Sequence, residues 1–221
     1  MEGAALGNRT IAYVLPFAVF IGFLGLQQLV TVPQWLHCIV PLAVIAAFSR
    51  DVLRPYLVRP LSSVALGVAA FIIWVGPEVL FPAYHQHWLF SNSILGHAAT
   101  TATASQKTDY SFILFRVLVS VITVPILEEL FWRGWLMRWL IDRNFERVPL
   151  GTYDPQAFWI TAILFASEHG SFWDVGLVTG VIYNLWIVRT KSLWDCILMH
   201  AVTNACLAWY VLTYDRWMYW L

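Results

Sequence analysis

The stretch Ile126-Leu127-Glu128-Glu129-Leu130-Phe131-Trp132-Arg133-Gly134 places two adjacent carboxylates and an arginine inside a run apolar enough to cross a lipid bilayer. Each charged residue near the centre of a membrane helix costs about 2.5–3.5 kcal/mol on insertion scales. Such residues therefore face a protein interior or a watery cavity, and they usually serve a function. The glutamate pair marks the place in the chain where we expect function.

The composition around this stretch is typical of an integral membrane protein. Of the 221 residues, 60% are hydrophobic and 12% are charged, and the mean hydropathy is +0.67. Ordinary soluble domains carry about 25% charged residues. The net charge is zero, which gives no electrostatic case for nucleic acid. Because the composition is that of a membrane protein, the expected partners include membrane lipids.

Apolar runs along the chain predict an all-α fold, a polytopic transmembrane bundle of about seven spans. A hydrocarbon core of about 30 Å needs roughly 20 apolar residues per helix. The fifth and sixth predicted spans are short. With no internal repeat and no shift in composition, we expect residues 1–221 to form a single integral membrane domain. The predicted spans are residues 10–30, 33–48, 61–81, 112–132, 156–168, 172–188 and 193–213.

Basic residues predict the orientation of the bundle, because the cytoplasmic connections of membrane proteins are rich in Lys and Arg. If the spans alternate, the basic residues that follow spans two, four and six lie on one side. The N-terminus is then cytoplasmic, with residues 82–110 and 214–221 on the opposite side. The compact length favours a bacterial inner (plasma) membrane. The basic residues are Arg50, Arg54, Arg59, Arg133, Arg138, Arg143, Arg147, Arg189 and Lys191.

The carboxylate stretch contains one pair of charges at helical spacing. Glu129 and Arg133 stand at i and i+4, so they share one face of a helix. An ion pair between them lowers the cost of burying both. Glu128 is then the less compensated carboxylate, which suits it to act as a general base.

Two further polar pairs have the same spacing in the C-terminal half. Phe165 and His169 form one pair, and His200 and Asn204 form the other. Together with a carboxylate, they supply two imidazoles and an amide. That set can hydrolyse an amide bond without a serine or cysteine nucleophile, since the acid activates water and the donors stabilise the oxyanion.

The three motifs in this order resemble those of the CAAX-protease and bacteriocin-processing family of intramembrane proteases, which includes the type II CAAX prenyl endopeptidases. The motifs are E-E-x-x-x-R at 128–133, F-x-x-x-H at 165–169 and H-x-x-x-N at 200–204. The resemblance covers about residues 112–213, which we expect to be the protease core. It implies an all-helical core whose catalytic groups converge in a water-accessible cavity.

The resemblance also implies a role for each motif residue. Glu128 activates the attacking water with help from His169, while His200 and Asn204 hold the oxyanion. The substrate is then a membrane-anchored or prenylated peptide or protein, cleaved near the cytoplasmic face or within the bilayer. The orienting residues are Glu129 and Arg133.

The cofactor is unknown from sequence. Glu128, His169 and His200 are residue types that ligate a divalent metal such as zinc, but the H-E-x-x-H helix of many zinc proteases is absent. We therefore favour a metal-independent glutamate mechanism.

Two readings without catalysis stay open. Glu128, His169 and His200 form a proton or ion path in one of them, as buried acids and histidines do in transporters. In the other, the chain is a scaffold or immunity protein with an idle site. Transporters tend to show repeats and broken helices in both halves. The polar groups here are confined to the C-terminal half, which favours the enzyme.

Other polar residues near the spans call for simpler interpretations. Arg116 and Glu78 are close enough to span ends to reach the interface, and His85 in the following loop is expected to be solvated. Glu168 points about 100° away from the neighbouring histidine on a helix, so a direct role is not expected. Gly170 is expected to end its helix inside the protein, which brings the histidine to the depth of the site.

Overall fold

The chain folds into seven helices longer than ten residues within residues 2–100 and 102–220, the part that the computed structural model describes. The predicted all-α bundle is confirmed. Short 3₁₀ turns lie in the connections. The helices are α1 Glu2–Leu26, α2 Gln34–Ser49, α3 Pro60–Leu80, α4 Tyr110–Trp139, α5 Pro155–Ser167, α6 Trp173–Thr190 and α7 Leu193–Tyr214.

Five of these helices are long and apolar enough to cross a membrane, so the chain is an integral membrane protein. The two shorter apolar helices are α2 and α5. The prediction of a short sixth span is wrong, because α6 and its 3₁₀ lead-in together cover Gly170–Thr190. The fourth span is also longer than predicted and continues to Trp139.

Polar residues fix where several helices begin. Asp109, Asp154 and Ser192 precede α4, α5 and α7, and the side chain of each accepts a hydrogen bond from a backbone N–H of the first turn. Such caps satisfy donors that a helix leaves unpaired at its N-terminus. The helices that carry the motifs therefore start at defined residues.

Helix α4 is not uniformly α-helical. It widens into π-helix at Val119–Thr123 and again at Leu130–Leu136. Within the first π segment, the N–H of Val124 bonds to the carbonyl of Val119, five residues back. Pro125 follows directly and has no N–H to offer the preceding turn, which favours a local break in the α-helical pattern. The carboxylate pair lies between the two π segments.

Small residues bring the helices of the C-terminal half close together. Helix α3 packs along α7, and α5 packs along α6. A Cβ atom added at Gly67 of α3 would lie 2.6 Å from the carbonyl oxygen of Met199, and one at Gly180 of α6 would lie 3.0 Å from the ring of Phe165. Glycine at these crossings permits the close helix contact common in membrane bundles.

The loop between α3 and α4 is tied to the bundle by a buried histidine. The side chain of His85 is fully buried, with its two ring nitrogens 3.3 Å from carboxylate oxygens of Glu78 and Asp174. Glu78 also accepts a hydrogen bond from the N–H of Ala83. The expectation of a solvated His85 is therefore wrong. Glu78 and His85 together hold this loop in place.

Candidate active site

The second carboxylate of the pair is the centre of a buried polar network. Glu129 is fully buried, and its Oε1 accepts hydrogen bonds from Arg133 at 3.1 Å and from Nδ1 of His200 at 2.9 Å. The Arg133 guanidinium also donates to Oδ1 of Asn184 at 2.9 Å and to the carbonyl of Gly180 at 3.3 Å. The predicted ion pair thus forms, and it links α4 to α6 and α7.

Glu128 has a different environment one residue away. It is 8% exposed and lines a cavity, and its Oε2 accepts no hydrogen bond from any residue that the structure describes. Buried polar atoms in native proteins are normally paired with protein or water. Glu128 is therefore the carboxylate of the pair that lines the cavity, with one oxygen that no described protein donor satisfies.

The two motif histidines are held in the same way. Nδ1 of His169 lies 2.7 Å from the carbonyl oxygen of Phe165, and Nδ1 of His200 lies 2.9 Å from Glu129. Both partners are acceptors, so Nδ1 carries the proton in each ring. The F-x-x-x-H spacing therefore positions an imidazole through a backbone oxygen four residues back. Nε2 is the nitrogen left for chemistry in both rings.

The depth of His169 follows from an early end of its helix. Helix α5 ends at Ser167, and Gly170 adopts a positive φ of 52°. A Cβ atom at Gly170 would lie 3.0 Å from the carbonyl oxygen of Leu95, in the loop between α3 and α4. Glycine is the residue that adopts this turn without strain. The helix thus ends before Gly170, as predicted, although Ser167 and Glu168 at its end are exposed.

Asn204 is anchored by an irregularity of α4. Its Nδ2 donates to the carbonyl oxygen of Ser120 at 2.7 Å. In a regular α-helix that carbonyl would pair with the N–H of Val124, but the π turn directs this N–H to the preceding carbonyl. Pro125 cannot replace it, because proline has no N–H. The carbonyl thus accepts from Asn204, whose amide keeps a second N–H.

All four residues predicted to be catalytic line one cavity of about 250 Å³. The two residues predicted to orient them, Glu129 and Arg133, lie behind this cavity in the buried network. The structure thus separates the six into a group that faces the cavity and a pair that supports it. The four that face the cavity are Glu128, His169, His200 and Asn204.

Glu168 also lines the cavity, although sequence reasoning gave it no direct role. The indole Nε1 of Trp132 donates to its Oε1 at 3.0 Å. The expectation assumed a continuous helix, on which neighbouring residues diverge. Because α5 ends at Ser167, that angle does not apply, and Glu168 stands at the cavity beside His169.

Arg116 also lines this cavity. Arg116, Ser120, Val124 and Glu128 follow one another at spacing four along α4, and all four line the cavity. In a pure α-helix each step of four residues rotates about 40° beyond a full turn. A π turn holds more residues and offsets this drift. Pro125, which lies within this run, is the sequence feature from which the π-helical segment could have been predicted.

The cavity extends towards the end of the bundle opposite the arginine-rich loops. It reaches Tyr219 and Trp220 near the C-terminus. A second cavity of about 640 Å³ adjoins it and shares Arg116 and Trp220 as lining residues. At the arginine-rich end, a core packs against the site and closes it. The core residues are Ala70, Trp132, Leu136, Phe165, Tyr183 and Met199.

The three residues considered as possible metal ligands are not placed as a ligand set in this arrangement. Among residues 2–100 and 102–220, no group of three or more His, Cys, Asp or Glu side chains is placed so that it could hold a metal ion. Metal ligands must converge within about 2.0–2.2 Å of one point. Glu128, His169 and His200 therefore do not fit a zinc centre as they stand, and a metal stays a hypothesis.

Comparison with known families supports the resemblance drawn from the motifs. Residues 110–206 match the family model described as type II CAAX prenyl endopeptidase Rce1-like. The match covers less than half of the chain but includes all three motifs, which confirms the resemblance over this segment. No curated protein and no solved structure gives a significant match to the chain.

Proposed function

We propose that this chain, with its Rce1-like segment at residues 110–206, is an intramembrane endopeptidase that hydrolyses a peptide bond in a membrane-associated substrate. The observation that carries the proposal is the position of Glu128. This acid faces a cavity without a protein partner for Oε2, while two imidazoles and an amide line the same cavity. This set of groups can hydrolyse an amide bond without a serine or cysteine nucleophile.

In the proposed reaction, Glu128 acts as the general base. It takes a proton from water while the water oxygen attacks the carbonyl carbon of the scissile bond. Nε2 of His169 accepts a hydrogen bond from the same water and orients it. The protonated Glu128 then gives its proton to the leaving nitrogen as the C–N bond breaks. The products are a new carboxylic acid and a new amine, and the acid then passes its remaining proton to the amine or to water.

The oxyanion of the tetrahedral intermediate is held from the opposite wall. Asn204 supplies the N–H of its amide that is not bonded to Ser120. His200 supplies Nε2 as a donor when its ring is protonated, with Glu129 fixing the ring through Nδ1. Preorganised donors of this kind act where charge develops in the transition state.

The packing of the bundle favours a protease over a proton or ion path. A path needs polar groups or water along the full depth of the membrane. The cavity ends against the apolar core that contains Trp132, Leu136 and Met199. A cavity closed at one end suits a reaction chamber.

The sidedness of the reaction follows if the arginine-rich loops are cytoplasmic. The cavity is open towards the opposite end of the bundle, so the substrate would be reached from the extracytoplasmic side. The expectation from sequence was cleavage near the cytoplasmic face or within the bilayer. In a bacterial inner membrane, the substrate would then be an exported, membrane-anchored peptide.

The test compares membrane-associated peptides from cells that express the wild-type protein or Glu128→Gln at matched levels. Mass spectrometry of peptide termini should show new termini with the wild type and none with the variant. Glu146→Gln is the matched control, because Glu146 pairs with Arg9 in a half-exposed ion pair away from the cavity. The control should cleave like the wild type.

Identical peptide sets from wild type and Glu128→Gln, with both proteins folded in the membrane, would contradict the proposal. The scaffold and ion-path readings would then be favoured. A proton flux assay on the purified protein in vesicles separates those two.

A further inference from the structure

The imidazole of His169 is enclosed by three helices. Its own helix supplies the carbonyl oxygen of Phe165, 2.7 Å from Nδ1, and the ring of Phe165, whose centroid lies 4.7 Å from that of the imidazole. On α6, a Cβ atom added at Gly176 would lie 3.3 Å from Cγ and Nδ1 of the imidazole. On α3, the indole of Trp74 lies 5.2 Å from the imidazole between ring centroids. Trp74 thus brings a large side chain of another helix against this ring.

The contact with Trp74 restricts a motion that the other contacts allow. His169 follows the end of α5 at Ser167, so the regular helix does not hold its backbone. The hydrogen bond from Nδ1 fixes one atom of the ring, and such bonds tolerate a broad range of angles. Aromatic rings prefer tilted or offset packing with centroids 4.5–7 Å apart. The indole meets the imidazole at 59°, so it limits the directions in which Nε2 can point.

Trp74 is itself held from its other side. The buried ring of Phe172 lies 5.9 Å from the indole and 4.4 Å from the imidazole of His85 between ring centroids. His85 is fixed between carboxylate oxygens of Glu78 and Asp174, at 3.3 Å from each. Glu78 stands four residues after Trp74 on α3, so the two share one face of that helix. A continuous series of contacts therefore joins the loop between α3 and α4 to His169.

We infer that Trp74 is a positioning residue for His169 and that the loop anchored by His85 acts on the catalytic cavity through Trp74. The inference rests on the proposed function, in which Nε2 of His169 orients the attacking water. Both Trp74 and His85 precede the matched segment at residues 110–206, so the family match assigns them no role. Helix α3 then does more than enclose the cavity, because it sets the direction of a catalytic imidazole.

The test measures which ring nitrogen of His169 carries the proton, by NMR of the full chain in detergent with ¹⁵N in its histidine rings. The chain has six histidines, and His169→Gln identifies the resonances of interest. In the wild type, His169 should be protonated at Nδ1 alone, because the partner of Nδ1 is a carbonyl oxygen. Trp74→Leu should replace this single state by a mixture of both tautomers. Trp74→Phe keeps an aromatic ring and should restore most of the single state.

Two further measurements test the far end of the contacts and the effect on cleavage. His85→Asn removes the ring that packs on Phe172 and should produce the same mixture at His169 to a smaller extent. His87→Asn, an exposed position of the same loop, is its control. The rate at which new peptide termini appear should fall about three- to tenfold in Trp74→Leu, as expected for the loss of one aromatic pair. Substitution of the exposed Trp209 by Leu should not change this rate.

A single Nδ1-protonated state of His169 in folded Trp74→Leu would overturn the inference, as would a mixture of tautomers in the wild type. If Trp74→Leu does not fold, His85→Asn decides, and an unchanged His169 in that variant overturns the role of the loop in either case. Identical peptide termini from wild type and Glu128→Gln would refute the proposed function. The tautomer of His169 is measured without turnover, so it would still decide whether Trp74 positions this ring.

Discussion

Two buried carboxylates of the bundle, Asp195 and Glu128, differ in how completely the protein pairs them. Asp195 accepts hydrogen bonds from the N–H groups of Val58 and Arg59 at 2.7 and 2.8 Å and from Ser63 at 2.9 Å. It fastens the start of α3 to the start of α7. Glu128 faces a cavity, and its Oε2 has no partner among the residues described.

The comparison shows why burial alone does not identify a functional acid. Both residues are less than a tenth exposed, and both lie within helices long and apolar enough to cross a membrane. The fully paired acid repays its desolvation through contacts within the protein, so its role is structural. The acid that lines the cavity with an unsatisfied Oε2 is the one with capacity for a water molecule or a substrate.

The largest expected effect is on the unpaired acid. Glu128→Gln should lower turnover of the natural substrate by about 10²–10⁴-fold, the usual contribution of a general base. The thermal unfolding temperature in detergent should stay close to that of the wild type, because no protein hydrogen bond to Oε2 is lost. Full turnover by this variant would remove Glu128 from the mechanism and end the contrast with Asp195.

The second-largest effect is expected for the ion pair of Glu129 and Arg133 behind the cavity. Arg133→Ala should destabilise the protein by about 3–5 kcal/mol, because it leaves Glu129 buried with an uncompensated charge. The yield of folded protein and its activity should both fall. Measurement of the free energy of unfolding in mixed micelles checks this. Wild-type stability of the variant would mean that the ion pair does not support the site.

A smaller effect is expected at the paired acid. Asp195→Asn should cost about 2 kcal/mol of stability, since charged hydrogen bonds to two backbone N–H groups are weakened. The protein that stays folded should cleave normally. Asp51→Asn is the control at the same end of the bundle, because Asp51 is exposed. Loss of activity without loss of stability would show that Asp195 does more than fasten two helices.

The smallest effect concerns the third acid of the cavity. Trp132→Phe keeps the aromatic packing and removes the N–H that Glu168 accepts at 3.0 Å. One lost hydrogen bond of about 1 kcal/mol corresponds to about a fivefold change in rate if Glu168 acts in the site. The exposed Trp209 offers the control Trp209→Phe. Unchanged turnover in both would show that Glu168 is a bystander.

Helical spacing made part of the site predictable. The i,i+4 rule brought Glu129 to Arg133 and placed His200 and Asn204 on one face. The same rule failed for Glu168, because the helix ends one residue before it. The rule also did not predict that Arg116 and Glu128 line the same cavity from one face of α4, because that alignment depends on the π segment.

The sequence by itself determined the all-helical membrane fold and the identity of the candidate site residues. The length of an apolar run and the free-energy cost of burying a charge are properties of single helices, so both can be read from local sequence. Only the tertiary structure decided which acid of the pair lines the cavity, where the cavity opens and that Arg116 borders it. Those properties depend on contacts between residues far apart in the chain, such as Asn204 with Ser120 and Asp195 with Val58.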